Sequence, residues 1–198
     1  MFVSFEGLDG SGKTTQAELL RARLEADGTQ IVATREPGGT ELGERIRELV
    51  LHGSHVTPWA EALLYAAARA QLVEQVIRPA LDRGKWVICD RYVDSSVAYQ
   101  GAGRELGLDV VLDLNLAAVE GVMPDRTFLL LLDPPEMQAR LQRDHDRLER
   151  ESERFHARVA EGYLELAARF PERVVVLDAT RPAEELAEEV YGALRVSA

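Results

Sequence analysis

Five short, mostly apolar runs punctuate the chain at Phe2–Glu6, Ile31–Thr34, Lys85–Cys89, Thr127–Leu132 and Val174–Leu177, and each has the length of a strand. Between them the apolar period changes. Ala17, Leu20 and Leu24, then Leu42, Ile46 and Leu49, then Leu186, Val190 and Leu194 recur at three- and four-residue steps, which predicts amphipathic helices. Thr57-Pro58 reads as an N-cap followed by proline at the first helical position, opening a helix that runs toward Gly84. Pro79 has no N–H to give and should kink or shorten that helix. Asp27-Gly28 and Arg83-Gly84 read as helix stops. Strands alternating with helices over 198 residues predict an α/β fold, a mainly parallel sheet with helices on both faces.

Composition narrows the setting. No apolar run approaches the roughly 18 residues of a membrane span, and the N-terminus lacks a basic leader, so a soluble cytoplasmic protein without a membrane partner is expected. A net charge of −11 argues against broad nucleic-acid binding, which needs a basic face. Anionic ligands must then be drawn by local arginines. Cys89 is the only cysteine and reads as a small buried strand residue. His52, His55, His145 and His156 show no metal-ligand spacing and read as surface or loop residues.

The loop after the first strand carries the chemistry. Gly7-Leu8-Asp9-Gly10-Ser11-Gly12-Lys13-Thr14 fills the phosphate-loop pattern G-x-x-x-x-G-K-[ST], and a helix over Thr15–Ala26 follows it directly. Backbone N–H groups of such a loop cradle a triphosphate, the lysine reaches the outer phosphates, and the threonine hydroxyl can ligate Mg²⁺. Only Lys13 and Lys85 are lysine among 23 basic residues. Lysine persists where a compact ammonium fits and a planar guanidinium would not.

In parallel sheets ligands gather beyond the carboxyl ends of the strands, which here places Gly7, Arg35, Asp90, Asp133 and Asp178 at the site. Asp133 and Asp178 read as helix caps. Asp90 closes a run resembling a Walker-B strand, whose acid holds Mg²⁺ or its waters. Tyr65 and Arg69, at i,i+4, share a helix face and offer a ring and a fork to a base, although an amphipathic helix with a snorkelling arginine has the same pattern. Between Pro135 and Tyr163, Arg140, Arg143, Arg147, Arg150, Arg154 and Arg158 recur at steps of three and four, one stripe if the segment is a continuous helix. Either a solvated helix or an arginine-rich lid closing over ATP would produce it.

These motifs, with Arg35-Glu36-Pro37-Gly38-Gly39-Thr40, Leu63–Arg69, Asp90-Arg91-Tyr92, Tyr99-Gln100-Gly101 and Pro124-Asp125-Arg126-Thr127, resemble bacterial thymidylate kinases over nearly the whole length. The resemblance implies the P-loop NTPase fold of nucleoside monophosphate kinases: three layers, a five-stranded parallel sheet of order 2-3-1-4-5, one kinase domain and a short arginine-rich lid at about 136–152. It implies ATP as donor, dTMP as acceptor, Mg²⁺, and a homodimer. Arg69 would meet the thymine carbonyl, Tyr65 would stack on the ring where the family often has Phe, and Ser96 would contact the ring nitrogen edge. Tyr99 would lie against the sugar, Pro37 would pack near it, Gln100 would complete the dTMP site, and Arg35 and Arg91 would line the path of the acceptor phosphate. Asp9 would sit near the 3′-hydroxyl and the metal, Thr14 and Asp90 would serve the metal, and Gly7 to Thr15 with Thr180 would hold ATP. Some relatives carry an arginine at the position of Gly10, so here the charge must come from the lid, from Arg140, Arg143 or Arg147. The lid is short and lacks the glycine often found there. Two rivals share the phosphate loop: a kinase for another small acceptor, and a nucleotide switch or partner-activated ATPase, against which the absent Asn-Lys-x-Asp signature weighs.

Overall fold

A computed structural model describes residues 1–140 and 146–195. The five predicted strands form at β1 (Phe2–Glu6), β2 (Ile31–Arg35), β3 (Trp86–Asp90), β4 (Arg126–Leu131) and β5 (Val174–Asp178), within one residue of their sequence bounds. All pairings are parallel and the order is β2-β3-β1-β4-β5, as the resemblance implied. Side chains alternate across the central strands. Val3, Phe5, Ile88 and Phe128 face one way, against Leu20 and Leu24 of α1 (Lys13–Ala26) and Leu186 and Val190 of α9 (Ala183–Arg195). Phe2, Val87 and Cys89 face the other, against Ile77, Tyr92, Val97, Val111 and Val119. Cys89 is the buried strand residue expected.

The remaining helices are α2 (Glu41–His52), α3 (Pro58–Leu72), α4 (Arg78–Asp82), α5 (Val93–Ser96), α6 (Leu108–Val119), α7 (Pro134–Arg140) and α8 (Glu153–Arg169). Thr40 caps α2 by accepting from the Gly43 N–H at 3.0 Å. Thr57 occupies the N-cap of α3 with Pro58 next, but its side chain makes no capping bond. Between α3 and α4 a π-helical turn spans Val73–Ile77. Pro79 explains it: an α-helix would pair the Gln75 carbonyl with the N–H four residues on, which proline lacks, so the ladder widens ahead of the ring rather than breaking. A second π segment, Val97–Gly103, continues α5 under the site.

Three expectations need correction. The arginine stripe does not run on one helix, because residues 147–150 form turns and α8 starts only at Glu153. Ser152 caps α8 through the Phe155 N–H, which fixes the new start. Asp178 accepts from the N–H and hydroxyl of Thr180 at 3.0 and 2.6 Å, closing an Asx turn rather than capping α9. His156 is fully buried on α8 against Phe155, not at the surface, and burial lowers its pKa.

Candidate active site

The carboxyl ends of β1 and β3 lie side by side and set the site. Gly7 leaves β1 at φ 136°, and a Cβ there would come within 2.4 Å of the Leu130 carbonyl, so only glycine lets the loop start so close to β4. Gly12 takes the left-handed conformation at the N-cap of α1, which begins at Lys13, two residues before the sequence pattern suggested. The amino end of α1, with its unpaired N–H groups and positive dipole end, therefore faces the loop. Lys13 is buried and donates to the Leu8 carbonyl at 2.7 Å; burial and the neighbouring Arg91 bring its ammonium down to about 8. The Ser11 hydroxyl is buried with no hydrogen-bond partner among the described residues, as a donor waiting for an anion would be.

Thr14 and Asp90, from α1 and β3, touch through a 2.5 Å hydrogen bond. One hydroxyl and one carboxylate, both hard oxygen donors, form the kind of set Mg²⁺ takes together with phosphates and waters. Among the described residues there is no larger cluster of metal ligands.

Arg91 follows Asp90 in a left-handed conformation, φ 70°, uncommon for a non-glycine residue and of the kind that concentrates at functional sites. Its guanidinium reaches the Gly7 carbonyl at 3.0 Å, Ser95 Oγ at 3.1 Å and Asp9 Oδ1 at 2.6 Å. Burial alone would raise the Asp9 carboxyl, but Arg91 and Lys13 outweigh it and hold Asp9 well below the usual carboxylate range. Beneath them Glu6, fully buried, meets the Tyr92 N–H at 2.7 Å, Ser95 Oγ at 2.5 Å and the Tyr163 hydroxyl at 3.2 Å. Burial and then Asp94 push the Glu6 carboxyl up to about 8.

Beside the phosphate loop lies a cavity of about 240 Å³. Of the residues expected for the acceptor, Asp9, Pro37, Tyr65, Arg69, Arg91, Ser96, Tyr99 and Gln100 all line it. Pro37 follows a cis peptide bond. Arg69 is 1% exposed and saturated: it donates to Glu36 at 2.6 Å, to Ser96 Oγ at 3.0 Å, to the Tyr92 carbonyl at 3.1 Å and to Asn115. Burial raises Glu36 to about 7 against the pull of Arg69, and its second oxygen is buried without a partner among the described residues. The Tyr99 hydroxyl donates to Asp9 Oδ2 at 3.1 Å, and burial raises the hydroxyls of both Tyr65 and Tyr99.

Other expected residues stand apart. Arg35 lies outside the cavity lining, paired with Glu44 at 3.0 Å. Arg140 donates to the Ala179 carbonyl at 3.0 Å, beside Thr180, the residue expected to hold ATP. Arg147 donates to the Val50 carbonyl at 2.8 Å and to Glu61 at 2.6 Å, away from the phosphate loop. Arg143 lies outside the described residues. Thr15 is exposed on the first turn of α1. Sequence reading missed Glu36, Arg47, Ser95, Asp146, Leu148 and Arg150 as lining residues. Arg47 carried a signal, since it precedes Leu51 by four on α2 and so shares its face.

Comparison with known proteins agrees with this geometry. The family model described as thymidylate kinase matches residues 5–190. A thymidylate kinase of Clavibacter michiganensis is 54% identical over 194 residues, 96% of this chain and 92% of that protein. One from Deinococcus radiodurans is 50% identical over 197 residues, 98% of this chain and 96% of that one. The crystal structure of thymidylate kinase from Ehrlichia chaffeensis superposes with a TM-score of 0.82 at 36% identity, covering 98% of both chains. On that family match and those identities, the chain belongs to the thymidylate kinase family.

Proposed function

We infer that this chain is a dTMP kinase, a single kinase domain that transfers the γ-phosphoryl group of ATP directly to the phosphate of dTMP and releases dTDP and ADP. The observation that carries the reading is the junction at Asp9. This residue belongs to the phosphate loop, yet it lines the acceptor cavity and pairs with Arg91. Donor and acceptor sites therefore meet where Lys13 and Arg91 converge.

Phosphoryl transfer asks mainly for alignment and for positive charge over the migrating group. The loop N–H groups, the Ser11 hydroxyl and Lys13 would hold the donor phosphates, and Arg91 would bridge to the acceptor phosphate. Thr14 and Asp90 would hold Mg²⁺, which neutralises charge on the ATP phosphates when bound. Arg140, bound to the Ala179 carbonyl next to Thr180, would have to leave it to reach the phosphates. On the acceptor side, Tyr65 would supply a flat face, and Ser96, together with Arg69 sharing one of its engaged N–H groups, polar contacts for the base edge. Tyr99, whose hydroxyl is held by Asp9, would lie against the sugar and disfavour a 2′-hydroxyl. Arg35 would have to leave Glu44 to reach the acceptor phosphate.

A homodimer fits the surface. Leu49 on α2, Trp59 and Leu63 on α3 and Val110 on α6 are all about half exposed, and these helices pack α2 on α3 and α3 on α6. Large apolar side chains left exposed on neighbouring helices are the kind of surface a partner copy would cover. Among the described residues no helix is long and apolar enough to cross a membrane, and we assign the protein to the cytoplasm.

The test is ADP release from Mg-ATP across dTMP, dUMP, dCMP, AMP, dGMP and thymidine. Strong stimulation by dTMP, with dUMP behind it by about the 1–3 kcal/mol worth of one methyl group, supports the reading. Stimulation by none of them rejects the acceptor.

A further inference from the structure

One buried cluster lies behind the acceptor cavity and takes no part in the chemistry above. Glu61 sits on α3 four residues before Tyr65, with no exposed surface. Its Oε1 accepts from Gln100 Nε2 at 2.9 Å and from Arg104 Nε at 3.2 Å, and its Oε2 accepts from Arg104 Nη2 at 3.1 Å and Arg147 Nη2 at 2.6 Å. Arg104 is itself held by Glu151 at 2.6 Å and lies over the Phe155 ring.

Gln100 is the member of this cluster that reaches the cavity. A glutamine amide is nearly symmetric in shape but opposite in sense at its two ends, one donor and one acceptor. Arg104 and Arg147 donate to both oxygens of Glu61, so each oxygen is used as an acceptor. The end of Gln100 turned to it must therefore be the NH₂ group, and the carbonyl oxygen is what remains for the cavity. Nearby, Ser96 Oγ accepts from Arg69 at 3.0 Å, so its own O–H is free to donate. The cavity thus sets an acceptor beside a donor. Thymine and uracil present N3–H beside a carbonyl, which matches; cytosine presents a bare N3 beside an amino group, which opposes both.

We propose that Glu61 is a positioning residue that locks the sense of the Gln100 amide and thereby selects an imide base over cytosine. The proposal deepens the acceptor reading above and rests on it. Arg104 and Arg147 serve it by filling the acceptor sites of Glu61 that Gln100 leaves.

The test is the ratio of kcat/KM for dTMP over dCMP, measured on the full chain. In Glu61→Gln the new amide can turn its NH₂ toward Gln100 and reverse it. The ratio should then narrow by about tenfold or more, through KM for the nucleotide and with KM for ATP unmoved. A merely structural loss lowers both nucleotides together, so an unchanged ratio overturns the proposal. Where Glu61→Gln alone does not fold, the pair Glu61→Gln with Arg104→Gln removes one charge of each sign and answers the same question. Gln100→Met, measured in parallel, separates the two layers. An unchanged ratio in that variant rejects the reading that Gln100 meets the base, whereas a narrowed ratio there beside an unchanged one in Glu61→Gln rejects Glu61 alone.

Discussion

Arg91 Nη2 lies 2.6 Å from Asp9 Oδ1, and this pair joins the end of β3 to the phosphate loop after β1. Arg91 also holds the Gly7 carbonyl, so one guanidinium fixes both the start and the middle of the bend before Gly10. Its left-handed backbone is held by an N–H bond to the Phe5 carbonyl at 2.9 Å and by the Tyr92 N–H on Glu6. Such over-determination suits a group that must sit still while charge moves past it. Arg91→Ala should lower kcat by about 10³, within the range attributed to arginines that stabilise phosphoryl transfer. Steady-state kinetics with both substrates varied would check this, and a loss confined to KM for dTMP would reduce Arg91 to a binding group.

Arg69 differs because the protein itself uses every side of its guanidinium. Removing it leaves Glu36, 5% exposed, as a buried acid without its cation. Arg69→Ala should cost about 3–5 kcal/mol in stability and weaken dTMP far more than ATP. Denaturant unfolding and calorimetric titration with each nucleotide give the two numbers. Equal weakening of both ligands would place Arg69 in the scaffold and outside base recognition.

Much of this was legible in the chain because its signals are local. Short apolar runs marked all five strands, a period of 3.6 marked α1, α2 and α9, Thr57-Pro58 marked the start of α3, and the phosphate loop is a contiguous motif. The Tyr65–Arg69 spacing predicted a shared face, and both residues do line the cavity. What escaped is either non-local or a false regularity. Glu61 meets Arg147 across 86 positions, and no local pattern announces such a pair. The arginine stripe kept a helical spacing across a stretch that forms turns over 147–150 ahead of α8, so Arg147 and Arg158 point to different neighbours, Glu61 and the Gly103 carbonyl. His156 had no sequence partner to betray its burial. The two π-helical turns follow from where hydrogen bonds fail or widen, which composition does not record.

The broken stripe separates two of the lid candidates. Arg147 is anchored on Val50 and Glu61, whereas Arg140 rests on one carbonyl and an exposed i,i+4 partner, Glu136. Arg147→Ala should therefore destabilise the fold by about 2–3 kcal/mol and change kcat less than tenfold. Arg140→Ala should leave stability within about 0.5 kcal/mol, as for an exposed pair, and lower kcat by about 10³. Unfolding curves and turnover of the two variants side by side decide it. If Arg147→Ala loses kcat with its stability intact, Arg147 must leave Glu61 when ATP is bound.

Glu6 makes stability depend on pH in a definite direction. Its carboxyl is raised from an ordinary 4.5 to about 8, by burial first and by Asp94 second. Below 4.5 the group is neutral in both the folded and the unfolded chain, and its contribution is fully present. Between 4.5 and 8 the unfolded chain has lost this proton while the folded chain keeps it, so folding takes up a proton. Stability from this group must then fall as pH rises, by about 1 kcal/mol per unit, and level off above 8. Asp9, held low, works the other way but only in acid: its contribution is present above 3.8 and is lost as pH falls below it. The two windows do not overlap, so they can be read separately. Glu6→Gln, neutral at every pH and nearly the same shape, should reduce the slope between about pH 5 and about 8 to the share that Glu36, raised to about 7, contributes, while leaving the acid limb in place. Unfolding free energies of both proteins at several pH values check the difference. Parallel curves across that window would mean that Glu6 is ionised in the folded protein, stabilised by Ser95, Tyr163 and the Tyr92 N–H.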